Sequence, residues 1–247
     1  FNKTNPLHPD IFLTIRKMES DIIYNCKILT KGFTEARGNL TTGGTESILL
    51  AMRAYRDMAK EKHRITSPEI IVFHGAHAAF DKASDYFNIK LIRIPYNLPE
   101  KDKFKMVEDM INSNTICVIV SAPEFADGLM DNIPKISEIT KKKNIPLHVD
   151  ACLGGFILPF IETKYKWNFE VDGVTSISMD LHKYGYCPKG ISVILYRSRD
   201  YSDYSGFIKD DWNGGIYATH GLTGSRCGNI IAQSWATILY YGKNKYR

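Results

Sequence analysis

The stretch PKISEITKKKNIPLHVDA, residues 134–151, contains the pattern that decides the fold class. Its first part, Pro134–Lys143, predicts a helix that opens with its proline at a favourable first-turn position. Its second part, Leu147–Val149, is a short apolar run typical of a buried strand, and it ends on the carboxylate of Asp150. A helix that leads directly into a buried strand is the repeating unit of an α/β protein.

The same unit recurs along the chain. Further strands are predicted at Ile70–Phe73, Leu91–Ile94, Ile116–Val120, Val174–Ile177 and Ile191–Tyr196. Further helices are predicted at Glu46–Lys62, Ala76–Phe87 and Lys103–Asn112. This alternation predicts a parallel or mixed sheet with helices on both faces. We expect one α/β domain over residues 1–247, with the glycine-rich stretch Asp210–Gly228 as the only long loop.

Composition and charge exclude several classes of protein. The 32 Lys and Arg exceed the 27 Asp and Glu by only five, and the longest basic run is Lys141–Lys143, so no nucleic-acid partner is expected. No apolar stretch reaches the roughly 18 residues of a membrane-spanning helix, and the first residues, Phe1–Pro6, do not resemble the apolar region of a signal peptide. The five cysteines include no C-x-x-C pair, which favours reduced thiols in the cytoplasm. The chain lacks an initiator Met, and the apolar-periodic run Ile230–Tyr241 stops close to its end, so we expect a fragment.

Three features stand where α/β proteins bind ligands, at the carboxyl ends of strands. The first is the turn Thr41–Ser47, TTGGTES, which runs into the predicted helix Glu46–Lys62. Free N–H groups at a helix N-terminus, with the hydroxyls of Thr45 and Ser47, would bind a phosphate. The alternative is an ordinary capping turn, with Thr42 or Thr45 as the cap and Glu46 in the first turn.

The second feature is the strand end at Asp150. A carboxylate there can hold a protonated ring nitrogen, because a charge-assisted pair in a dry site favours the ionised partner. Alternatively, His148 and Asp150 form a solvated strand end or bind a metal, although no metal-ligand spacing supports the last possibility.

The third feature is Lys183, in the polar turn that follows the predicted strand Val174–Ile177. Desolvation there would lower the pKa of this lysine and prepare it for a Schiff base, whereas the alternative is a solvated surface lysine. A phosphate site, then an aspartate, then a lysine is the order that a pyridoxal phosphate site requires.

Several runs of the sequence resemble the sphingosine-1-phosphate lyase family, within the wider group of pyridoxal-phosphate-dependent (group II) decarboxylases. They are Asn5–Asp10, Leu40–Ser47, His77–Ala83, His148–Phe156, Asp180–Gly190 and Asp211–Ala218. The resemblance implies the large domain of the aspartate aminotransferase fold (fold type I), with a mixed, mostly parallel sheet flanked by helices. In that family a small C-terminal domain follows and, in eukaryotes, a membrane anchor precedes, so we expect both to be missing here.

The resemblance also assigns the cofactor, pyridoxal 5'-phosphate, and the residues that bind it. Lys183 would form the Schiff base, Asp150 would pair with the pyridine nitrogen, and His77 would stack on the ring. The cofactor phosphate would be held by Gly43, Gly44, Thr45 and His182. Taken alone, a histidine such as His77 is more often a structural residue. No metal is expected.

The substrate and the partner chain are implied in the same way. His8 and Lys189 would bind a phosphate on the substrate, although by themselves they read as a turn histidine and a surface lysine. The family forms homodimers with a shared active site, so Gly214 and Gly215, in the loop Trp212–Tyr217, would approach the neighbour's cofactor phosphate. The alternative is an ordinary surface loop.

The reaction implied is cleavage of the Cα–Cβ bond of sphingosine 1-phosphate, or a related sphingoid base phosphate, to phosphoethanolamine and a long-chain aldehyde. The base that deprotonates the C3 hydroxyl is not identified by the sequence. Membrane contact would occur only through the lipid substrate or through a missing anchor that associates the protein with the endoplasmic reticulum. The alternatives are an amino acid decarboxylase of the glutamate or aromatic type and a non-catalytic binding fragment.

Overall fold

Helices and strands alternate along the computed structural model, which describes residues 1–247. The helices are α1 (Leu13–Leu29), α2 (Gly44–His63), α3 (Ala79–Phe87), α4 (Glu100–Met110), α5 (Ile133–Lys143), α6 (Arg199–Ser202) and α7 (Gly228–Lys245). The strands are β1 (Arg37–Thr41), β2 (Glu69–Phe73), β3 (Lys90–Ile94), β4 (Thr115–Ser121), β5 (Leu147–Asp150), β6 (Val174–Met179), β7 (Ser192–Tyr196), β8 (Phe207–Trp212) and β9 (Gly215–Thr219). Every strand and helix predicted from the sequence is present.

Seven strands form one sheet in the order β1-β7-β6-β5-β4-β2-β3. Strand β7 is antiparallel to both of its neighbours, β1 and β6, and the other pairs are parallel. The predicted mixed, mostly parallel sheet is therefore confirmed. Strand β7 alone runs opposite to the other six strands. The carboxyl ends of β1 and of β2 to β6 therefore all lie at one edge of the sheet.

Helices cover both faces of this sheet, as the apolar runs predict. In β2, Ile71 and Phe73 belong to one buried cluster with side chains of α1, α4, α5 and α7. Ile70 and Val72 belong to a second buried cluster with side chains of α2 and α3. Neighbouring residues of a strand point to opposite faces, so a continuous apolar run fits a strand that is buried on both sides.

The stretch expected as a long loop is partly a β-hairpin, and the prediction for Asp210–Gly228 is wrong in this respect. Strands β8 and β9 pair antiparallel, and the pair Trp212 and Gly215 encloses the turn Asn213-Gly214. Asn-Gly between two strands is a strong hairpin signal. In this hairpin the residue with a positive φ is Gly215. The polar residues of β8 hide this signal, since its side chains are exposed rather than packed in the core.

Three further elements, α1, β1 and the short helix α6, have no counterpart among the predictions. Strand β1 is short and begins with Arg37 and Gly38, so it lacks the apolar run by which the other strands are recognised. It is held by its antiparallel pairing with β7. No helix in the protein combines the length and apolar character needed to cross a membrane.

Candidate active site

A cavity of about 350 Å³ lies at the carboxyl ends of the strands. Its lining comes from the segments that follow β1, β2, β4, β5 and β6. The residues named from the sequence that line it are Gly43, Gly44, Thr45, His77, Asp150, His182 and Lys183. The turn Thr41–Ser47 (the phosphate turn), Asp150 and Lys183 therefore line the same cavity. This agrees with the prediction from their positions after strands.

Close packing of helix α2 against the ends of two strands forms one wall of the cavity. A Cβ atom on Gly44 would lie 2.8 Å from Sγ of Cys152 and 2.9 Å from the carboxylate oxygens of Asp180. Only glycine permits this approach. The first N–H groups of α2 have no partner within the helix and belong to residues that line the cavity, so they can bind an anion there.

The capping interpretation of this turn is wrong about the cap residue, although Glu46 does lie in the first turn as that interpretation expects. The N-cap residue of α2 is Gly43, and no side chain caps the helix. The expected contribution of Ser47 to a phosphate site is also wrong, because its buried hydroxyl is bonded to Oγ1 of Thr41 at 2.7 Å and to Oγ of Ser192 at 2.9 Å. Ser47 joins α2 to the sheet instead.

Glu46 fixes the turn from the other side. Its Oε2 accepts hydrogen bonds from the backbone N and the Oγ1 of Thr42, at 2.7 and 2.6 Å. Its Oε1 accepts from the backbone N of Leu222 at 2.8 Å. The buried carboxylate thus ties the phosphate turn to the segment that follows β9, which the sequence did not indicate.

Asp150 ends strand β5 as predicted and is buried. Its Oδ1 accepts from the backbone N of Cys152 at 3.0 Å and from Oγ of Ser178 at 3.3 Å. Both contacts involve the same oxygen, which leaves Oδ2 available to a partner in the cavity. This is the arrangement that a carboxylate needs to hold a protonated ring nitrogen.

His148 lies beneath Asp150 and is completely buried. Its Nδ1 is 2.7 Å from Oγ of Ser176, and burial lowers the pKa of the ring to about 3. The solvated strand end considered for this residue is therefore wrong. No group of three or more His, Cys, Asp or Glu side chains is arranged to hold a metal ion.

Asp180 connects the two basic residues of the lysine turn. Its Oδ2 lies 3.0 Å from Nζ of Lys183 and 3.4 Å from Nε2 of His182, while its buried Oδ1 has no hydrogen-bond partner. Burial works to raise the pKa of Asp180, but the hydrogen bond from His182 and the charge of Lys183 outweigh it, and the pKa lies below its usual value.

The expected lowering of the Lys183 pKa is wrong for this arrangement. Burial works to lower it, but the carboxylate of Asp180 outweighs burial, and the pKa of the amine lies above its ordinary value. Lys183 therefore has to lose a proton before it can act as a nucleophile.

The orientation of His182 follows from backbone donors. Its Nδ1 accepts from the backbone N of Gly190 at 3.2 Å and of Ile191 at 3.3 Å. In the neutral ring the proton is then on Nε2, which faces Asp180. His182 lines the cavity, and its Nε2–H points toward Oδ2 of Asp180, so its predicted role toward a phosphate stays a prediction.

His77 is exposed at the opening of the cavity, where its Nδ1 accepts from the backbone N of Ala79 at 3.0 Å. This bond holds the ring at the beginning of α3.

Four residues that the family resemblance assigns to the site do not line the cavity. Lys189 is exposed, and its Nζ donates to the carbonyl of His182 at 2.6 Å, so it lies directly behind the site. His8 is exposed in the N-terminal turn. Gly214 and Gly215 are exposed in the turn of the β8–β9 hairpin.

Among the ionisable residues that line the cavity, Glu124 is the one that none of the sequence motifs includes. Glu124 follows β4, and its Oε2 lies 0.9 Å from the point where a Cβ atom of Gly75 would stand. The rule that drew attention to Asp150 and Lys183, a polar residue just after a strand, also applies to Glu124.

These groups fit the cofactor expected from the sequence. The cavity offers N–H donors for a phosphate at α2, a carboxylate oxygen at Asp150 for a ring nitrogen, and the amine of Lys183 for a carbonyl carbon. The unpaired, buried Oδ1 of Asp180 indicates that a bound group completes the site, because buried polar atoms normally have a partner.

Comparison with known proteins agrees with this geometry. The pyridoxal-dependent decarboxylase conserved domain matches residues 16–247. Sphingosine-1-phosphate lyase 1 of Rattus norvegicus is 46% identical to the chain over 251 residues, which are 100% of the chain and 44% of that protein. The lyase of Saccharomyces cerevisiae is 43% identical over 250 residues, covering 98% of the chain and 42% of that protein. The chain thus spans less than half the length of these relatives.

Solved structures give the same result. The sphingosine-1-phosphate lyase of Burkholderia pseudomallei superposes with a TM-score of 0.94 at 36% identity, covering 100% of the chain and 59% of that structure. A glutamate decarboxylase of Lactobacillus brevis superposes with a TM-score of 0.86 at 23% identity, over 100% of the chain and 59% of that structure, and shows the fold alone.

The buried His148 predicts a pH dependence of stability. A base whose pKa is lowered by folding takes up a proton on unfolding, so the free energy of unfolding falls as the pH drops from about 6.5 toward about 3. We expect His148→Gln to flatten this part of the curve, in urea unfolding at a series of pH values. His63→Gln, at an exposed histidine, is the control. Equal pH dependence in wild type and His148→Gln would contradict the assignment.

Proposed function

The chain belongs to the family of pyridoxal-dependent decarboxylases, and on that premise we propose that it is the cofactor-binding part of a sphingolipid-degrading lyase. Its reaction is cleavage of the Cα–Cβ bond of sphingosine 1-phosphate, or a related sphingoid base phosphate, to phosphoethanolamine and a long-chain aldehyde. The observation that carries the proposal is the meeting of the phosphate turn, Asp150 and Lys183 in one cavity. The substrate class is supported by relatives named sphingosine-1-phosphate lyase at 40–46% identity.

The family match confirms pyridoxal 5'-phosphate as the cofactor. When bound, this group withdraws the electron pair of a bond broken at the amine-bearing carbon of a substrate. Lys183 is proposed to hold it covalently, Asp150 to keep its ring nitrogen protonated, and His77 to lie against its ring. Its phosphate is proposed to bind the first turn of α2, at Gly43, Gly44 and Thr45, together with His182.

The surrounding residues keep these groups in position. The contacts to Cys152 and Ser178 hold one oxygen of Asp150, so the other keeps a defined direction. The backbone donors at Gly190 and Ile191 keep the proton of His182 on Nε2. Asp180 lies 3.0 Å from Nζ of Lys183 and favours the protonated form of that amine.

The substrate phosphate needs a second anion site, and we propose that Lys189 and His8 supply it. The cavity contains one lysine and four carboxylates, Glu46, Glu124, Asp150 and Asp180, so its own charges suit an amine better than a second phosphate. A Cβ on Gly190, next to Lys189, would lie 3.7 Å from Ile230 of α7. The N-terminal turn reaches the same end of α7, where the carbonyl of Thr4 accepts from the backbone N of Gly228.

We further propose a homodimer in which the β8–β9 hairpin, with Gly214 and Gly215 at its turn, approaches the neighbour's cofactor phosphate. The hairpin leaves Ile208, Trp212 and Ile216 exposed by 73%, 56% and 77%. Exposed apolar side chains in such density favour a protein interface over a solvated loop. Membrane contact is proposed to occur through the lipid substrate.

The assignment of the reaction is tested with the full-length protein loaded with cofactor. We expect it to release a long-chain aldehyde and phosphoethanolamine from sphingosine 1-phosphate, and no carbon dioxide from a panel of amino acids. Release of carbon dioxide from an amino acid, without aldehyde from sphingosine 1-phosphate, would show that the protein is an amino acid decarboxylase with the same fold. Cofactor binding with neither product would identify a non-catalytic binding protein.

The covalent role of Lys183 has its own readout. Borohydride reduction of the loaded protein, followed by peptide mass mapping, should place the cofactor on Lys183. Lys183→Ala should lose this adduct completely, whereas Lys189→Ala should retain it. A folded, loaded wild-type protein without an adduct at Lys183 would refute the role.

The second anion site is tested at Lys189. A hydrogen bond to a charged group contributes about 1.5–3 kcal/mol, so Lys189→Ala should weaken binding of sphingosine 1-phosphate by that amount and leave the cofactor attached. Lys105→Ala, at an exposed lysine of α4, is the control. Unchanged affinity and turnover in Lys189→Ala would show that the substrate phosphate binds elsewhere.

A further inference from the structure

Glu124 differs from the other three carboxylates of the cavity because no N–H or hydroxyl of the protein donates to it. Glu46 accepts from Thr42 and Leu222, Asp150 accepts from Cys152 and Ser178, and Asp180 contacts Lys183 and His182. Each of these three is committed to holding a part of the site. Glu124 is the remaining carboxylate. Its side-chain hydrogen-bond partner is the carboxyl of Asp127 on the same loop, so no other residue of the cavity holds it in place.

The position of Glu124 is built into the fold. It follows β4, and its carboxylate lies over Gly75, which follows β2. Because the sheet order is β6-β5-β4-β2, this carboxylate lies on the side of the cavity away from Lys183, with Asp150 on the strand between them. A side chain at position 75 would occupy the space of the Glu124 carboxylate. The glycine at this position leaves that space open.

The electrostatics of this side suit a base. Burial, with the nearby charge of Asp127, raises the pKa of Glu124 above its usual value, against the opposing effects of His74 and Lys103. A carboxylate with a raised pKa binds a proton more readily and is a better general base near neutral pH.

We propose that Glu124 is the catalytic base that removes the proton from the C3 hydroxyl of the substrate. This inference rests on the proposed function, because a hydroxyl next to the bond that breaks is a feature of a sphingoid base phosphate. The carboxylate oxygen takes the hydroxyl proton, and the O–H electron pair becomes the second bond of the aldehyde carbonyl. The Cα–Cβ bond breaks, its electron pair stays on the amine-bearing carbon, and that carbon then gains a proton to give phosphoethanolamine.

The pH dependence of cleavage follows from the groups around Glu124. On its own loop these are Asp127 and Asp131, and the other elements contribute His74, which follows β2, and Lys103 of α4. His77 also follows β2 and lies on the same side as Glu124, whereas Asp150 and Lys183 lie toward the other side of the cavity. The rate should fall on the acid side as Glu124 takes up a proton, and this acid limb should be absent from Glu124→Gln.

Two measurements on the full-length, cofactor-loaded protein distinguish a role of Glu124 as the base from a role in supporting the cofactor site. The first is aldehyde release from sphingosine 1-phosphate, which needs the hydroxyl proton to be removed. The second is exchange of hydrogen for deuterium at the amine-bearing carbon of phosphoethanolamine in D₂O, which involves no hydroxyl. We expect Glu124→Gln to lower kcat for aldehyde release by about 10²- to 10⁴-fold, the usual contribution of a general base, with the exchange rate preserved. Glu108→Gln, at an exposed glutamate of α4, should change neither.

A second variant displaces the Glu124 carboxylate without changing residue 124 itself. Gly75→Ala places a methyl group where Oε2 of Glu124 now lies, and Gly75 does not have a positive φ that would exclude alanine. We expect this variant to keep its cofactor absorbance and its exchange activity while aldehyde release falls.

Two results would overturn the proposal. One is aldehyde release at the wild-type rate in Glu124→Gln. The other is parallel loss of aldehyde release and exchange, which would show that Glu124 supports the cofactor site rather than the hydroxyl step. Failure of the proposed function is seen separately, because the wild-type protein itself would then release no aldehyde.

Discussion

The close approach of helix α2 to the ends of β5 and β6 is the constraint on which the site depends. The backbone of Gly44 stands where any side chain would collide with Cys152 and Asp180. This contact brings the N-terminus of α2, with its unpaired N–H groups, to the same cavity as Asp150 and Lys183. The hydroxyls of Thr41, Ser47 and Ser192 join α2 to the sheet below this contact.

The ionisable side chains in and below the cavity differ in how they are paired. Beneath it lies the neutral His148, whose proton affinity is suppressed by burial. Around it, Glu46 and Asp150 are held by donors of the protein, and Asp180 is shared between Lys183 and His182. A buried carboxylate needs such partners, because an unpaired charge in a dry site is costly. The unpaired oxygen of Asp180 is the exception, and it lies where a bound group would complete the site.

A lyase and an amino acid decarboxylase can share this cavity because both need an electron-withdrawing cofactor on an amine. The high TM-scores with structures named for both activities agree with a common fold. What distinguishes them is how the rest of the substrate is bound and whether a hydroxyl proton is removed. In this chain, Lys189 lies behind the cavity and Glu124 lies within it. We propose that these two residues meet the two requirements from different parts of the molecule.

The sequence by itself determined the α/β class, the main strands and helices, and the identity of the cavity residues Gly43, Asp150 and Lys183. These follow from local patterns, since apolar runs, turn residues and positions after strands are visible along the chain. The hairpin β8–β9 was not predicted, because its side chains are exposed and its sequence lacks the apolar run of a buried strand. Only the tertiary structure decided that Asp180 reverses the expected shift in the Lys183 pKa, that Ser47 faces the core, and that Glu46 bonds to Leu222 from the far end of the chain. Such effects depend on distances between residues from different elements, and no local pattern encodes those distances.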